Sequence, residues 1–293
     1  MSRCAIACMS VAGCGTTGPR VEHPDAAHAQ LSLAADDRMV LVPAGKFIAG
    51  STLEERGAAY DDFQAATATD AAREGKWFDR EEDRHQITLP AFKIDLMPVT
   101  QAQYAELVAT QKVPPPVIDE AGWRAQGSSH EFATEVMRFV WTASAPPGDR
   151  LDHPVVLVTW DEANRYCAWR GELRGQVRRL PTAPEFEKAA RGDGGVAYPW
   201  GNAFDPSKLN SADAGPKDTV PSGTFTLGAS PYGVLDMAGN VVQWTSTPDG
   251  AGMMLVKGSG WDDHAGLGRA AAAQGRKTNT RHVVIGFRCA APP

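Results

Sequence analysis

Residues 179–192 read RLPTAPEFEKAARG, followed at 198–202 by YPWGN. Thr182 and Glu185 have the spacing of a capping box, in which the threonine hydroxyl accepts from the third helical N–H and the glutamate reaches back to the cap. Pro184 suits a first turn, where an N–H has no intrahelical partner. Beyond Arg191 helical periodicity disappears. Residues 192–293 are rich in Gly, Asn, Asp and Pro, with short apolar runs such as VVIGF, which predicts irregular loops around short strands. Upstream the same box recurs: Thr100 with Gln103 before YAELV, and Thr159 with Glu162 before ANRYCAW. In the latter helix Ala163, Tyr166, Cys167 and Arg170 share one face, so Cys167 points inward. At the start, MVLVPAGKFIAGS (39–51) predicts a hairpin, and QITLPAFKID (86–95) alternates like a strand. Between them 51–84 is polar and acidic and predicts an exposed loop with a helical piece, while the Pro- and Gly-rich stretch 111–152 predicts an insertion.

The chain has 293 residues, 43% hydrophobic and 22% charged, with a net charge of −6. That is the composition of a soluble globular protein, and its sign argues against nucleic acid as a partner. No apolar run approaches the ~20 residues that span a bilayer. The first 14 residues, MSRCAIACMSVAGC, place Arg3 before a short apolar core, and Val11-Ala12-Gly13-Cys14 has the form of a bacterial lipobox. Small residues before the cysteine admit the signal peptidase, and acyl chains on Cys14 would hold the protein on a membrane at ~0.8 kcal/mol per buried CH₂. Gly15 rather than Asp follows, which favours the outer membrane of a bacterial envelope. Residues 15–37 are small and polar and read as a tether, leaving 38–293 as the folded domain. Cys4 and Cys8 would leave with the signal, so Cys167 and Cys289 remain as an even pair in an exported chain.

Several segments taken in order resemble the formylglycine-generating enzyme (sulfatase-modifying factor) family. They are VPAGKFIAGS (42–51), IDLMPVTQAQYAELV (94–108), HPVVLVTWDEANRYCAWRG (153–171), RLPTAPEFEKAARG with YPWGN, YGVLDMAGNVVQWT (232–245) and IGFRCA (285–290). The resemblance spans residues 39–291 and implies one α+β domain, an elaborated C-type-lectin-like fold. It implies a disulfide between Cys167 and Cys289, worth roughly 4–5 kcal/mol for a loop of about 120 residues in the chain-entropy account; two separate buried thiols are the alternative.

The resemblance also locates an active site, and here the chain departs from the pattern. Catalytic members carry a Cys-His-x-x-x-Cys segment whose thiols bind copper and substrate. The matching positions, within KGSGWDDHAGLGR (257–269), are Asp263, His264 and Gly268, bordered by Trp261 and Arg269. Copper(I) selects soft thiolates, so copper is not expected here. Asp262, Asp263 and His264 could form a carboxylate and imidazole site, with His153 or His282 as further ligands. The alternative is a loop in which the acids bond to backbone and to Arg269. Trp261, Arg269, Arg276 and Arg281 would border a peptide groove, and Arg288 would tie the last strand to a buried carboxylate. Family calcium loops would correspond to Ala238, Gly239, Val241 and Gln243, and to Asn210, the Ser211 carbonyl and Asp213 or Asp218. Gln243 stands where a glutamate is expected, which keeps an oxygen and loses a charge, so that first site is weakened or empty. At both loops Asx-turns are the alternative to calcium.

Two functions follow as expectations. The first is an envelope-anchored lipoprotein without formylglycine oxidase activity, acting as a binding or structural module for an envelope protein or an exported peptide. The second is a divergent periplasmic enzyme that oxidises or matures an exported peptide or a sulfatase-like protein. A third resemblance, to hypervariable ligand-binding proteins of the same fold, lacks their dense asparagines: Asn279 stands alone between Gly258 and His282.

Overall fold

The computed structural model describes residues 38–111 and 113–293; the lipobox with Cys14 and the tether 15–37 lie outside them. The stretch expected to fold on itself as a hairpin forms two strands, β1 (Met39–Val42) and β2 (Gly45–Ala49), that do not pair with each other. β2 pairs with β3 (His85–Leu89) and β1 with β4 (Phe92–Asp95), Gly45 opposing Leu89 and Val42 opposing Phe92. The register is the same on both sides of the gap, so 39–49 and 85–95 form one long antiparallel ribbon. It is interrupted where Pro43 and Pro90 remove ladder donors. The Pro-Ala-Gly signal marks that interruption, not a reversal of the chain.

The segment joining the ribbon's two arms is also more ordered than expected. Thr52 and Glu55 form a capping box for a 15-residue helix, α1 (Leu53–Thr67), followed by α2 (Ala71–Glu74). Ala59, Tyr60 and Phe63 pack with Ala72, Phe78 and Leu267 into a small core of their own. Apolar residues at i, i+1 and i+4 among charges bury one stripe of α1, which a composition-based loop assignment overlooks.

The three expected capping boxes start α3 (Gln101–Gln111), α5 (Trp160–Leu173) and α6 (Ala183–Arg191). The 111–152 insertion contains α4 (Glu120–Ala125) and short turns, and it contributes Trp123, Phe139 and Trp141 to the main core. β5 (Val242–Pro248), β6 (Met253–Lys257), β7 (Ala273–Lys277) and β8 (Ile285–Gly286) form a sheet in the order β7-β6-β5-β8, with β5 and β8 parallel. β9 (Ala290–Ala291) adds to β4, completing the sheet β1-β4-β9. Ala163, Tyr166, Cys167 and Arg170 are buried, as the period of α5 requires, and Cys167 is bonded to Cys289. That disulfide ties α5 to the residue before the final strand.

Candidate functional site

The chain turns sharply after Gly260, and the two adjacent acids separate. Asp263 faces back into the turn: its Oδ2 accepts from Gly260 N–H at 2.7 Å and its carbonyl from Ala212 N–H at 2.9 Å. Burial, and next the neighbouring Asp262 charge, push the Asp263 carboxyl up to about 7. Asp262 faces the insertion, with Oδ2 3.3 Å from His130 Nε2. That hydrogen bond raises the pKa of His130 against the opposing effect of burial. His130 lies among aromatic rings, 5.3 Å from Trp261 and 5.6 Å from His282 between centroids. Trp261 is 3% exposed and stacks on Phe139, so it is a wall and not an exposed grip.

His282 accepts from Val284 N–H at Nδ1, which leaves its proton on Nε2, directed at Ser128 Oγ 2.7 Å away. Burial pushes its pKa down to about 4, so the ring is neutral at pH 7. A second clasp joins the same two segments: the Gln126 amide donates to Arg281 C=O at 3.0 Å and accepts from Arg281 N–H at 2.8 Å. Between them lies a cavity of about 1200 Å³, lined by Ile118, Gln126 and Ser128 on one wall and by Arg276, Thr280 and His282 on the other. Arg276 also lines a cavity of about 400 Å³ with Trp77, Asp263 and Leu267. His130 Nδ1 and Asp262 Oδ1 are buried with no hydrogen-bond partner, and neither residue lines the larger cavity, whose wall reaches Ser129, the residue before His130. Buried polar atoms in this state are uncommon and call for a partner.

The other expected site residues go elsewhere. His264 Nδ1 pairs with Asp213 Oδ1 at 2.7 Å, and Asp213 Oδ2 accepts from Ala265 N–H. Arg269 does not reach Asp262 or Asp263: it forms a buried ion pair with Glu81 at 3.1 Å, because the ordered 51–84 segment supplies that carboxylate. Arg281 binds Glu162 at the start of α5. His153 contacts Thr219 and takes no part in the acidic turn, whereas His282 lies against His130, the partner of Asp262. Arg288 meets no carboxylate within the hydrogen bonds it makes. Its Nε donates to Gln243 Oε1 at 2.6 Å, and its other donors reach the carbonyls of Asp95, Leu96, Leu235 and Asp236. His130 had no sequence signal: it lies in a Pro- and Gly-rich stretch with no ligand spacing, and only the fold brings it to Asp262.

The donor chemistry does not fit copper. A carboxylate is a hard ligand, and Gly268 has no side chain. A Cβ at Gly268 would sit 3.2 Å from Ser259 Oγ and 3.3 Å from Leu209 Cδ1, so a thiol there would require its neighbours to move. Among the described residues no three His, Cys, Asp or Glu side chains converge as a metal-binding group. At the Ala238–Gln243 turn, Gly239 C=O accepts from Val241 N–H, and Gln243 Nε2 lies 2.8 Å from Asp236 O and 3.5 Å from Val241 O. Amide donors thus face oxygens that a calcium ion would need, and the Arg288 charge adjoins the third, so this turn does not fit calcium. The Asn210 loop fits better, since Asn210 Oδ1 is a buried acceptor with no donor. Its two candidate carboxylates are engaged, Asp213 by His264 and Asp218 by Arg150 at 2.6 Å.

The sequence matches the sulfatase-modifying factor enzyme 1-like domain over residues 26–292. A mouse (Mus musculus) protein named inactive C-alpha-formylglycine-generating enzyme 2 is 31% identical over 299 residues, covering 89% of this chain and 88% of that protein. The hercynine oxygenase of Mycolicibacterium smegmatis is 31% identical over 71% of this chain and 45% of its own length. Among solved structures, PvdO from Pseudomonas aeruginosa superposes with a TM-score of 0.64 at 20% identity, covering 87% of this chain and 94% of that one. A family match over residues 26–292, with a relative of more than 30% identity over 89% of the chain, leaves one conclusion: the chain belongs to the formylglycine-generating enzyme (sulfatase-modifying factor) family.

Proposed function

We propose that this protein is an envelope-anchored lipoprotein whose domain binds a ligand in the groove between the insertion and the C-terminal segment, without formylglycine oxidase activity. The observation that carries the proposal is the replacement of both thiol positions, by Asp263 turned inward onto Gly260 N–H and by the tightly packed Gly268. The name of the mouse relative, an inactive enzyme, agrees with it. The ligand would be an exported peptide or an envelope protein, and calcium, if bound, would lie in the Asn210 loop. The test is to incubate the purified protein with a cysteine-containing sulfatase peptide, copper, oxygen and a reductant, and follow the peptide by mass spectrometry. No aldehyde product is expected, and no stoichiometric copper; turnover with bound copper would sink the reading. Anchoring is checked separately by mass spectrometry of the N-terminal peptide for acyl chains on Cys14.

A second reading is favoured by the Asp262–His130 pair. A carboxylate that holds an imidazole by one nitrogen leaves the other for proton transfer, so the groove could process an exported peptide by acid–base chemistry. His130→Gln would abolish such an activity, while a purely binding role would tolerate it in part.

A further inference from the structure

In the sheet β7-β6-β5-β8 the strand β7 lies at an edge. Its register with β6 sets Ala273 opposite Lys257 and Lys277 opposite Met253. One residue further on, Thr278 N–H donates to Gly252 C=O at 3.1 Å, so that opposed pair is a hydrogen-bonded one. Bonded and non-bonded pairs alternate along an antiparallel ladder, so Arg276 and Gln274 also bond to β6. Ala273, Gly275 and Lys277 are the non-bonded positions, and their N–H and C=O groups point outward. The residues opposite agree: Met253 C=O accepts from Asp249 N–H and Leu255 C=O from Thr245 Oγ1, both on the β5 side. Among the described residues none of the three outward N–H groups has a hydrogen-bond partner. Of the outward carbonyls, Lys277 C=O accepts from Thr280 N–H at 3.0 Å and Gly275 C=O from the exposed Arg276 guanidinium at 3.2 Å. This edge borders both cavities of the site. Ala273, Gln274 and Arg276 line the smaller one with Lys76 and Trp77, and Gly275, Arg276 and Lys277 line the larger. Arg276 is common to the two, so they adjoin along a strand about 14 Å long.

We infer that β7 binds an extended polypeptide segment bearing acidic side chains, which adds to the four-stranded sheet at this edge. The inference rests on the ligand-binding reading of the groove above and names the class and pose of its ligand. Outward N–H and C=O groups at a two-residue period match a polypeptide backbone, and strand addition draws its affinity from such main-chain bonds. The charges select the side chains. Arg276 hydrogen-bonds to no carboxylate, donating instead to Gly275 C=O and Gln274 Oε1 of its own strand. Lys76 and Lys277 form no ion pair among the described residues. Arg80 and Arg281, on the same walls, are held by Asp249 and Glu162. The acids that line the cavities are committed as well, Asp119 to Gly122 N–H and Asp263 to Gly260 N–H. Cations without carboxylate partners thus follow this edge in a chain whose net charge is −6. They disfavour a second copy of the chain as occupant, because edge-to-edge pairing would bring like charges together.

The probe is a phage-displayed library of random peptides of about ten residues, the upper range of a strand. It is selected on the full chain with Cys4, Cys8 and Cys14 changed to Ser, and synthetic copies of the binders are measured by fluorescence anisotropy. Enrichment of Asp and Glu is expected, alternating with β-branched residues. N-methylation of every second amide should weaken binding about tenfold or more in one phase and little in the other, because only one phase faces β7. Lys277→Pro removes an outward N–H and spares the ladder to β6, so it should weaken binding more than Lys277→Ala does. The N-methyl comparison uses the unaltered fold and decides the matter even if the proline variant does not fold. Arg276→Gln with Lys277→Gln should erase the preference for acidic peptides. Binders that Ala125→Trp blocks from the opposite wall, yet that tolerate both N-methyl phases, would overturn strand addition and leave the groove reading standing. Binders without acidic enrichment would overturn the ligand class. A dimer in peptide-free solution that Lys277→Pro dissociates would overturn the inference by giving the edge to a second copy. No binder at all, or binding indifferent to Ala125→Trp, would sink the groove reading itself and the inference with it.

Discussion

Two buried polar centres involve the C-terminal segment, one around Arg288 and one around Asp262 and His130. Around Arg288 every guanidinium N–H has an acceptor: four backbone carbonyls and Gln243 Oε1, whose amide in turn donates to Asp236 O. Around Asp262 one carboxylate oxygen and one imidazole nitrogen have none. Low dielectric strengthens a fully paired network and makes an incompletely paired one costly. The first centre is therefore organised for stability, and it fills the turn that resembling enzymes give to calcium. The second retains unsatisfied buried atoms, on which the proposed acid–base reading rests.

The sharpest way to break this contrast is to remove Arg288. Arg288→Met should leave several buried carbonyls without donors, at about 1–3 kcal/mol each. The domain should lose on the order of 5 kcal/mol or fail to fold, read by circular dichroism on heating; a mild effect would end the structural reading of that centre. Gln243→Glu is next. A carboxylate cannot donate to Asp236 O, which should cost about 1–3 kcal/mol although its oxygen keeps the bond from Arg288 Nε, and millimolar calcium should not restore it while Arg288 occupies the turn. The wild-type turn should not respond, and a calcium response that Gln243→Leu abolishes would show that the ion binds there after all.

The pH response sharpens the comparison. Asp263 has a folded pKa of about 7, above its unfolded value, so its contribution is fully present at low pH and falls as pH rises to about 7. His282, lowered to about 4, works oppositely: stability falls as pH drops from the unfolded value near 6.5 toward 4. Asp263→Asn should therefore stabilise the domain at pH 7 by about 1–2 kcal/mol and not at pH 4. Urea melts across that range would check it, and an unchanged profile would refute the burial of this carboxyl. The smallest effect belongs to the Asp262 centre. Asp262→Asn should change stability by under about 1 kcal/mol yet lower the His130 pKa seen by NMR, since the carboxylate is what raises it. A large loss of stability would make this centre structural too.

Much of the scaffold is legible in the sequence. Thr100, Thr159 and Thr182 mark helix starts through contacts three residues away, and the face shared by Ala163, Tyr166 and Cys167 follows from helical geometry alone. Thr52 and Glu55 carry the same signal, hidden among charges that suggest a loop. The 39–51 hairpin fails as an expectation because Pro43 reports the loss of a donor and not the direction the chain takes. The site is less legible. Asp263 and Gly268 show that the thiols are gone, but Asp262, the neighbour of the position singled out, is the acid that meets His130.

By itself the sequence determined the family, the main helices, the inward Cys167 and the absence of cysteine at positions 263 and 268, because these rest on residue identity and short-range spacing. Only the tertiary structure decided that Arg269 pairs with Glu81, that Arg288 is held by carbonyls and Gln243, and that His130 reaches Asp262 from an insertion more than a hundred residues away in the chain. Partner choice among buried polar groups is set by which ones the packing of apolar surface brings together, and local sequence carries no record of that.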